Sequence, residues 1–447
     1  MKIFVLSALL LTNFCGMETS VMAEEAVPSR QTFNLKADQL LPFVEQLIIQ
    51  GKLEEARQVL EQVAGRTPDP VQEKFLAGQI AVMQKRYRDG IGIFRSILDY
   101  HPKLTRVRLE LARALFLAKE DVAARHHFEL ILAEKLPPAV IENVSRYLYE
   151  IRKRKRWQVR AYFAVAPDTN ITGATDQDTV YIYGLPFELS EDARETSGLG
   201  IIGSAGLDYF WPLGEKVKLK SGMDIYHTQY SKTQFNDTFL SGSFGPSLIF
   251  RKTTLTPQLL GYYRWYGGED YNYAYGGQLL ADHILSRRWR LDSTLSWQEL
   301  RYDRDVRRDG HLASSTARVS YSLTSSSILQ FLVGGTWEKT QQDSLDNFSL
   351  RFGLGFYQDF GQGVTLYVRP EVLFRTYDGV ENAFYLETEG EDRKDTRYSV
   401  SVDFIKRDWS IWGFAPVFSY SYSNNNSNIS FYSYQRHRFQ LGLTRTF

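Results

Sequence analysis

The groups that could serve as a catalytic base in the C-terminal part of the chain are scattered. His227, His283, His311 and His437 belong to no recognisable motif, whereas nucleophilic catalysis needs a base beside a nucleophile and a partner that orients it. His283 and Ser286 are close in sequence, but this spacing alone is too weak to indicate a site. We therefore expect no enzymatic activity and no cofactor or metal.

His126 and His127 are adjacent in a segment with helical periodicity. Two metal ligands on one helix face need a spacing near i, i+4, so adjacent histidines point in different directions. We interpret both as surface or packing residues.

A run of five cations, Arg152, Lys153, Arg154, Lys155 and Arg156, separates two parts of the chain with different patterns. One interpretation is a solvated linker. The alternatives are contact with anionic lipid head groups and guidance of a substrate from the first part to the second. The net charge of +1 does not favour a nucleic-acid partner.

Charged residues also share one face of two alternating segments, since residues at i and i+2 lie on the same side of a strand. The first face carries Lys218, Lys220 and Asp224, with Tyr226, and the second carries Arg369, Glu371 and Arg375. In a closed sheet these side chains either line a polar channel or form a structural network that fills the interior.

The elements that position these residues begin after an export signal. Residues 1–23 have a cationic end at Lys2, an apolar stretch and small residues at the predicted cleavage point, which is typical of a signal peptide. Bulky Phe14 before Cys15 disfavours the alternative of a lipoprotein signal. Cys15 is the single cysteine, so the mature chain has none, which suits an oxidising compartment such as the bacterial periplasm.

Residues 24–156 are predicted to form a periplasmic helical domain that includes the basic junction. Within it a pattern recurs every 34 residues, as in Ala56, Gly90 and Ala124, and in Leu60, Phe94 and Phe128. This period and order of small, aromatic and proline residues resemble the tetratricopeptide (TPR) repeat. We expect about three units and a capping helix at 138–151. The repeats either form a groove that binds an extended peptide or a partner helix, or serve only as a spacer that stiffens the N-terminus.

From residue 157 to residue 447 the hydrophobic pattern has a period of two residues. This part contains no apolar run long enough for a helix to span a membrane, which excludes a helical membrane span. Fourteen segments have the length of a tilted membrane strand: 157–166, 196–211, 216–230, 238–251, 255–267, 272–286, 288–302, 310–323, 327–339, 346–360, 363–377, 396–406, 410–423 and 434–447. The predicted fold is therefore α plus transmembrane β, with TPR-like repeats followed by a 14-stranded antiparallel outer-membrane β-barrel.

The connections between these strands are predicted to alternate between short turns and longer loops, as in outer-membrane barrels. The short ones are predicted at 212–215, 252–254, 287, 324–326, 361–362 and 407–408, and the longer ones at 167–195, 231–237, 268–271, 303–309, 340–345, 378–395 and 424–433. This alternation places every short turn on the periplasmic side.

One face of many strands is apolar with aromatic ends, which favours a lipid-facing surface. The predicted outward residues are Trp289, Leu291, Leu295 and Trp297, then Leu329, Phe331, Val333 and Trp337, then Trp412, Phe414, Phe418, Tyr420 and Tyr422. The terminal Phe447 resembles the signal that outer-membrane assembly machinery recognises, although Arg445 departs from that pattern.

The whole arrangement resembles the surface lipoprotein assembly modulator family of Gram-negative bacteria. Besides the architecture, Pro167, Asp168 and Asn170 with Ile171 are similar to that family's Pro-Asp-x-Asn-Ile motif, although they also fit a turn that ends the first strand. The resemblance implies an outer-membrane protein that delivers lipoproteins, or related soluble proteins, from the periplasm to the cell surface.

The same resemblance implies that the periplasmic domain engages the substrate and that the barrel completes translocation. Expected partners are a surface lipoprotein, outer-membrane lipids, and further the barrel assembly machinery and periplasmic chaperones, with no nucleic acid. The alternative function is a TPR-barrel polysaccharide exporter, which usually has a longer repeat array and a lumen rich in one charge sign.

Overall fold

The computed structural model describes residues 37–65, 67–379, 381–409, 411 and 413–445. The predicted signal peptide, Trp412 and Phe447 lie outside these residues. No helix among them is long and apolar enough to cross a membrane.

The first part of the described chain is a stack of helices. Its helices are α1 (Ala37–Ile49), α2 (Leu53–Val63), α3 (Pro70–Met83), α4 (Tyr87–Tyr100), α5 (Thr105–Leu117), α6 (Asp121–Ile131) and α7 (Pro138–Arg154). Helices α1 and α2, α3 and α4, and α5 and α6 pack as pairs, and α7 follows as the capping helix. We call α1–α7 the helical domain.

The 34-residue period places equivalent residues in one continuous core. Leu60, Phe94 and Phe128 are all buried at the same position of successive units. Gly78 allows α3 and α4 to approach closely, because a Cβ atom there would lie 2.6 Å from Cε1 of Phe94. The predicted repeat packing is confirmed.

The second part is a closed antiparallel barrel of fourteen strands. Its strands are β1 (Trp157–Asp168), β4 (Gly198–Pro212), β5 (Val217–Tyr230), β6 (Asp237–Ile249), β7 (Thr253–Tyr266), β8 (Glu269–Ile284), β9 (Trp289–Tyr302), β10 (Gly310–Thr324), β11 (Ser327–Thr340), β12 (Asn347–Gly361), β13 (Val364–Tyr377), β14 (Lys394–Lys406), β15 (Ala415–Ser427) and β16 (Tyr434–Thr444). Neighbours in sequence pair with each other, and β1 closes the barrel between β4 and β16. The predicted number of strands is confirmed.

Two connections differ from their predicted lengths. Gly267 and Gly268 both have positive φ and form a two-residue turn between β7 and β8, where a longer loop at 268–271 was predicted. The strand predicted at 410–423 begins at Ala415 instead, because Gly413 has φ +82° and the chain turns between Ile411 and Phe414. Short and long connections therefore do not alternate strictly.

The outer surface of the barrel is apolar, as predicted. Trp289, Leu295 and Trp297 are exposed on β9, and Phe331, Val333 and Trp337 are exposed on β11. Closure is required for such a surface in lipid, because an open strand edge would leave backbone groups unpaired.

The helical domain packs on the barrel end where β1 begins, which we call the helical end. At the other end, the distal end, the connection after β1 contains a hairpin of β2 (Thr179–Ile182) and β3 (Leu185–Glu188) that was not predicted. The connection between β13 and β14 contains the short helix α8 (Tyr385–Thr388). The two connections touch, since the backbone N–H of Tyr183 donates to the carbonyl oxygen of Ala383 at 2.7 Å.

Candidate functional site: the domain junction and the barrel lumen

The basic run at the junction is engaged with the rest of the protein. Arg152, Lys153 and Arg154 form the last turn of α7, and the chain then enters β1 at Trp157. The carbonyl oxygens of Arg152 and Lys155 both accept hydrogen bonds from Nζ of Lys218, at 2.7 Å each. Lys218 was predicted to line the lumen, and the structure places it, almost fully buried, beneath the end of α7.

The other cations of the run have their own contacts. Lys153 forms an ion pair with Glu215 at 3.5 Å. Arg154 turns back into the helical domain, where its Nε lies 2.9 Å from Oδ1 of Asp121. Burial lowers the pKa of Lys155 to about 8. Arg156 is the exposed member of the run.

A second contact between the domains is made by α6. Glu129 accepts a hydrogen bond from Nη1 of Arg290 on β9 at 2.7 Å, and Asp282 on β8 binds the same guanidinium group. Nearby, the carboxylate of Glu134 accepts a hydrogen bond from the backbone N–H of Ser325 at 3.0 Å. These contacts attach the helical domain to turns and strand ends of the barrel.

A third contact, which sequence analysis missed, involves the adjacent histidines. Nε2 of His126 lies 3.1 Å from the hydroxyl oxygen of Tyr357 on β12. Nδ1 of His127 lies 3.3 Å from Nη1 of Arg108, and that guanidinium lies 3.6 Å from the carboxylate of Asp359. Both histidines therefore belong to the interface between the domains, and nothing in their local sequence indicates this.

Burial at this interface has an electrostatic consequence. It lowers the pKa of His126 and His127 well below the usual value, and the positive charges of Arg407 and Arg108 lower both further. A cation at either imidazole is disfavoured because it would lose water and face these guanidinium groups. The two histidines are therefore neutral in the packed structure at neutral pH.

The predicted residues Lys220 and Asp224 do face the lumen, where they join two residues that sequence analysis did not select. Arg160 on β1 donates to Asp208 on β4 at 2.6 Å and to Asp224 at 2.7 Å. Lys220 lies 3.3 Å from the same Asp208 carboxylate. The four charges alternate in sign and line a cavity of about 490 Å³.

The second predicted lumen group is separate from the first. Nε of Arg369 lies 3.1 Å from the carboxylate of Glu371. Arg375 approaches the hydroxyl group of Tyr377 at 3.5 Å. In the part of the chain that the structure describes, no ion pair joins this group to Lys220 or Asp224.

Tyr226 lines a different cavity of about 410 Å³ together with aromatic and charged side chains: Asp237, Phe239, Tyr262, Arg264, Asn272 and Tyr302. Within it, Arg264 and Asp237 form a two-point ion pair with both distances at 2.9 Å. Pairing of this kind fixes the side chains and leaves little net charge in the cavity.

The motif after β1 connects the first strand to the last. Pro167 and Asp168 are the final residues of β1, and Nε of Arg436 on β16 lies 2.9 Å from Oδ1 of Asp168. Asn170 is fully buried, and its amide donates to the carbonyl oxygens of Ala174 at 2.8 Å and Gln435 at 3.0 Å. Asp168 and Asn170 thus do more than end a strand, because they bind β16 across the closure of the barrel.

The chain has a distant fold similarity to solved outer-membrane barrels. The outer membrane channel DcaP of Acinetobacter baumannii has a TM-score of 0.37 and 9% identity, over 65% of this chain and 97% of that protein. A similarity of this size carries no information about function.

Sequence comparison is more specific. The family described as surface lipoprotein assembly modifier matches residues 157–447, and the N-terminal TPR repeats of that family match residues 29–128. Surface lipoprotein assembly modifier 1 of Neisseria meningitidis serogroup B is 27% identical, over 84% of this chain and 77% of the relative. The protein of that name from Haemophilus influenzae is 24% identical, over 85% and 79%. Because the family match covers the whole barrel and the repeats match as well, this chain belongs to the surface lipoprotein assembly modifier family.

Proposed function

We propose that this protein is an outer-membrane translocon that delivers lipoproteins, or related soluble proteins, from the periplasm to the cell surface. The family and the names of its relatives support the substrate class. In this proposal the helical domain captures the substrate, the barrel completes its passage, and the protein performs no chemical reaction.

The orientation in the membrane follows from the same proposal. The predicted signal peptide exports the chain, the helical domain stays in the periplasm, and the distal end with its long connections faces outward. Outer-membrane barrels have short periplasmic turns and longer outer loops. Most connections at the helical end are short, which supports this orientation.

The observation that carries the proposal is the attachment of the helical domain to the barrel. Lys218 holds the end of α7, and Arg290 holds α6 through Glu129. A polypeptide bound to the repeats would therefore lie beside the barrel end instead of at the tip of a flexible tether. Short transfer distances raise the effective concentration of a bound segment at the second site.

The lumen supports a polypeptide as the passenger. Arg160, Asp208, Lys220 and Asp224 form a network of both signs. A polypeptide presents both charge signs along its length, whereas an acidic polysaccharide would be favoured by a lumen of positive charge. The mixed network therefore favours protein delivery over the polysaccharide alternative.

The remaining partners are proposed on physical grounds. Outer-membrane lipids solvate the apolar face that carries Trp289, Trp297 and Trp337. Periplasmic chaperones would keep the substrate unfolded, and the barrel assembly machinery would insert this barrel. The protein itself supplies no energy in this proposal. Folding of the substrate outside the cell would make its passage irreversible.

The test compares surface lipoproteins in cells with and without this protein. Intact cells are treated with a protease, and the cleaved lipoproteins are quantified by mass spectrometry, with periplasm-facing lipoproteins as the internal control. Loss of exposure in the deletion strain, restored by the full chain, is the expected result. Unchanged exposure of every lipoprotein would refute the proposed function.

A second variant tests substrate capture. A chain that keeps its signal segment but lacks residues 24–151 retains the barrel alone. We expect this variant to reach the outer membrane but not to restore surface exposure. Normal exposure with the bare barrel would show that the helical domain does not capture the substrate.

A further inference from the structure

The two edges of β1 are paired very differently. On one side β1 pairs with β4 continuously, from Trp157 with Tyr209 to Asp168 with Gly198. On the other side its register with β16 runs from Tyr162 to Val165 and resumes at Asp168. The boundary between β1 and β16, which we call the seam, is therefore the less paired edge of this strand.

Two features shorten the ladder at the seam. Pro167 has no backbone N–H and cannot donate to β16. Towards the helical end, the N–H of Arg445 donates to the carbonyl oxygen of Ala161, and the described residues of β16 do not pair with Trp157 to Arg160. Among the described residues, backbone pairing at the seam therefore covers less of β1 than the pairing with β4 does.

Side chains compensate at the distal end of the seam. The polar latch consists of Asp168, Thr169 and Asn170 on one side and residues 435–438 on the other. Asp168 is paired with Arg436 at 2.9 Å and lies 3.5 Å from Arg438. The hydroxyl group of Thr169 accepts a hydrogen bond from the backbone N–H of His437 at 2.9 Å, and Asn170 binds the carbonyl oxygen of Gln435.

The two faces of the seam have opposite character. Phe163, Val165, Leu441 and Leu443 are exposed on its outer face, in the surface assigned to lipid. On the inner face, the hydroxyl group of Tyr162 donates to Gln440 at 2.6 Å. A molecule with an apolar anchor and a polar chain would match both faces at once.

We propose that the seam between β1 and β16 opens laterally to pass the acyl chains of a lipid-anchored substrate, and that the polar latch recloses it. This inference rests on the proposed function. Moving acyl chains through the charged lumen would be unfavourable, because every CH2 group would leave an apolar environment for a polar one. At an opened seam the acyl chains stay in the bilayer while the polypeptide occupies the polar interior.

The physics of the bilayer selects this boundary for opening. Each backbone group left unpaired in lipid is costly, so a barrel opens where the fewest ladder hydrogen bonds break. Apart from the backbone hydrogen bond from the N–H of Thr169 to the carbonyl oxygen of His437 at 3.0 Å, the latch hydrogen bonds involve side chains at the distal end, where water can replace them. Opening at the seam therefore exposes less unpaired backbone to lipid than opening between β1 and β4.

A disulfide across the seam tests the inference. Cys15 is the single natural cysteine and lies in the predicted signal peptide, so introduced cysteines pair only with each other. Val165 and Leu441 face each other across the seam on the outer surface, and both are changed to cysteine. The matched control joins Val165→Cys to Ile201→Cys, its partner on the β4 edge at the same depth.

Intact cells carrying each pair are oxidised, and surface exposure of the lipoprotein substrate is measured before and after reduction. With the oxidised seam variant, we expect surface exposure of the substrate to fall to the level of the deletion strain. Exposure should recover on reduction, which also shows that the variant is folded. The control is expected to keep wild-type exposure in both states.

Three outcomes overturn the inference. The first is wild-type exposure with a fully oxidised seam, and the second is equal loss in the β4-edge control. The third is loss that reduction does not reverse in a correctly inserted barrel. These results differ from failure of the proposed function, in which the deletion strain itself would show normal lipoprotein exposure.

Discussion

The imidazole of His126 in α6 and the phenol group of Tyr357 in β12 are joined across the domain interface, with 3.1 Å between Nε2 and the hydroxyl oxygen. Arg407 donates to the same hydroxyl group at 2.7 Å. A neutral imidazole with an unprotonated Nε2 can accept a hydrogen bond from the phenol O–H, whereas an imidazolium has no lone pair to accept it. The contact between helical domain and barrel is therefore linked to the protonation of a histidine.

The first prediction concerns pH. The pKa values of His126 and His127 are lowered well below 6.5 by burial and by Arg407 and Arg108. Their neutral forms stabilise the packed state, so this stabilisation is present above about pH 6.5 and is lost as the pH falls below that value. Spin labels at exposed Lys103 and Lys252 should give a broader distance distribution at pH 5 than at pH 7.5.

The variant for this prediction is the double change His126→Gln and His127→Gln, which keeps a neutral side chain at every pH. We expect it to remove most of the pH dependence. His101→Gln, at an exposed position, is the control and should leave the dependence unchanged. A distance distribution that is the same at both pH values in the wild type would contradict the prediction.

The second prediction concerns Lys218. Lys218→Met keeps an unbranched side chain of similar size but leaves the carbonyl oxygens of Arg152 and Lys155 without their donor. Unpaired buried groups cost about 1–3 kcal/mol each, so the end of α7 should detach more often. Trypsin should then cleave the Arg152–Arg156 run several times faster than in the wild type.

The control for Lys218 is Lys216→Met, two residues earlier and exposed. It also removes one cationic side chain near the start of β5, so it corrects for a change in net charge. Equal cleavage rates in Lys218→Met and Lys216→Met would mean that Lys218 does not hold the junction.

The third prediction concerns the repeat core. Phe94 is fully buried at the position shared by Leu60 and Phe128. Phe94→Ala should lower the free energy of unfolding of the helical domain by about 3–5 kcal/mol, because it leaves a cavity. Far-ultraviolet circular dichroism during urea unfolding measures the loss, and heat-dependent gel mobility of the barrel should not change. Tyr100→Ala in the same helix is the control, since Tyr100 is 75% exposed. An equal decrease in the free energy of unfolding in both variants would refute the assignment of Phe94 to the repeat core.

The fourth prediction concerns barrel closure. Asp168→Asn should destabilise the barrel by about 1.5–3 kcal/mol, since a hydrogen bond between charged groups contributes that much and Arg436 would lose its counter-charge. The midpoint of urea unfolding in lipid vesicles should fall. Asp176→Asn, at an exposed position in the following loop, should leave the midpoint in place. If Asp168→Asn unfolded at the same urea concentration as the wild type, Asp168 would not contribute to the stability of the latch.

The helices and the number of strands could be predicted because their signals are local. Burial of one face imposes a period along the chain, so Leu60, Phe94 and Phe128 recur at equal steps and outward residues such as Trp297 and Trp337 alternate with polar ones. Turn lengths were less predictable. Gly267 and Gly268 formed a tight turn because both adopt positive φ, a conformation that a glycine pair permits without requiring it.

The candidate site was predictable in part. Parity along β5 indicated that Lys220 and Asp224 face the lumen, and the structure places them there. Their partners were missed, although Arg160 has a charged side chain on an alternating strand and could have been selected by the same rule. Lys218 lies on the same face of β5 as Lys220 and Asp224, but it is near the start of the strand and therefore lies under the end of α7.

The sequence by itself determined which segments are helices, which are strands, and which residues can share a face, because these properties depend on neighbours within a few residues. The tertiary structure alone decided that His126 meets Tyr357 and that Asp168 meets Arg436. Such pairs join residues that are hundreds of positions apart, and only closure of the barrel and packing of the helical domain on its end bring them together.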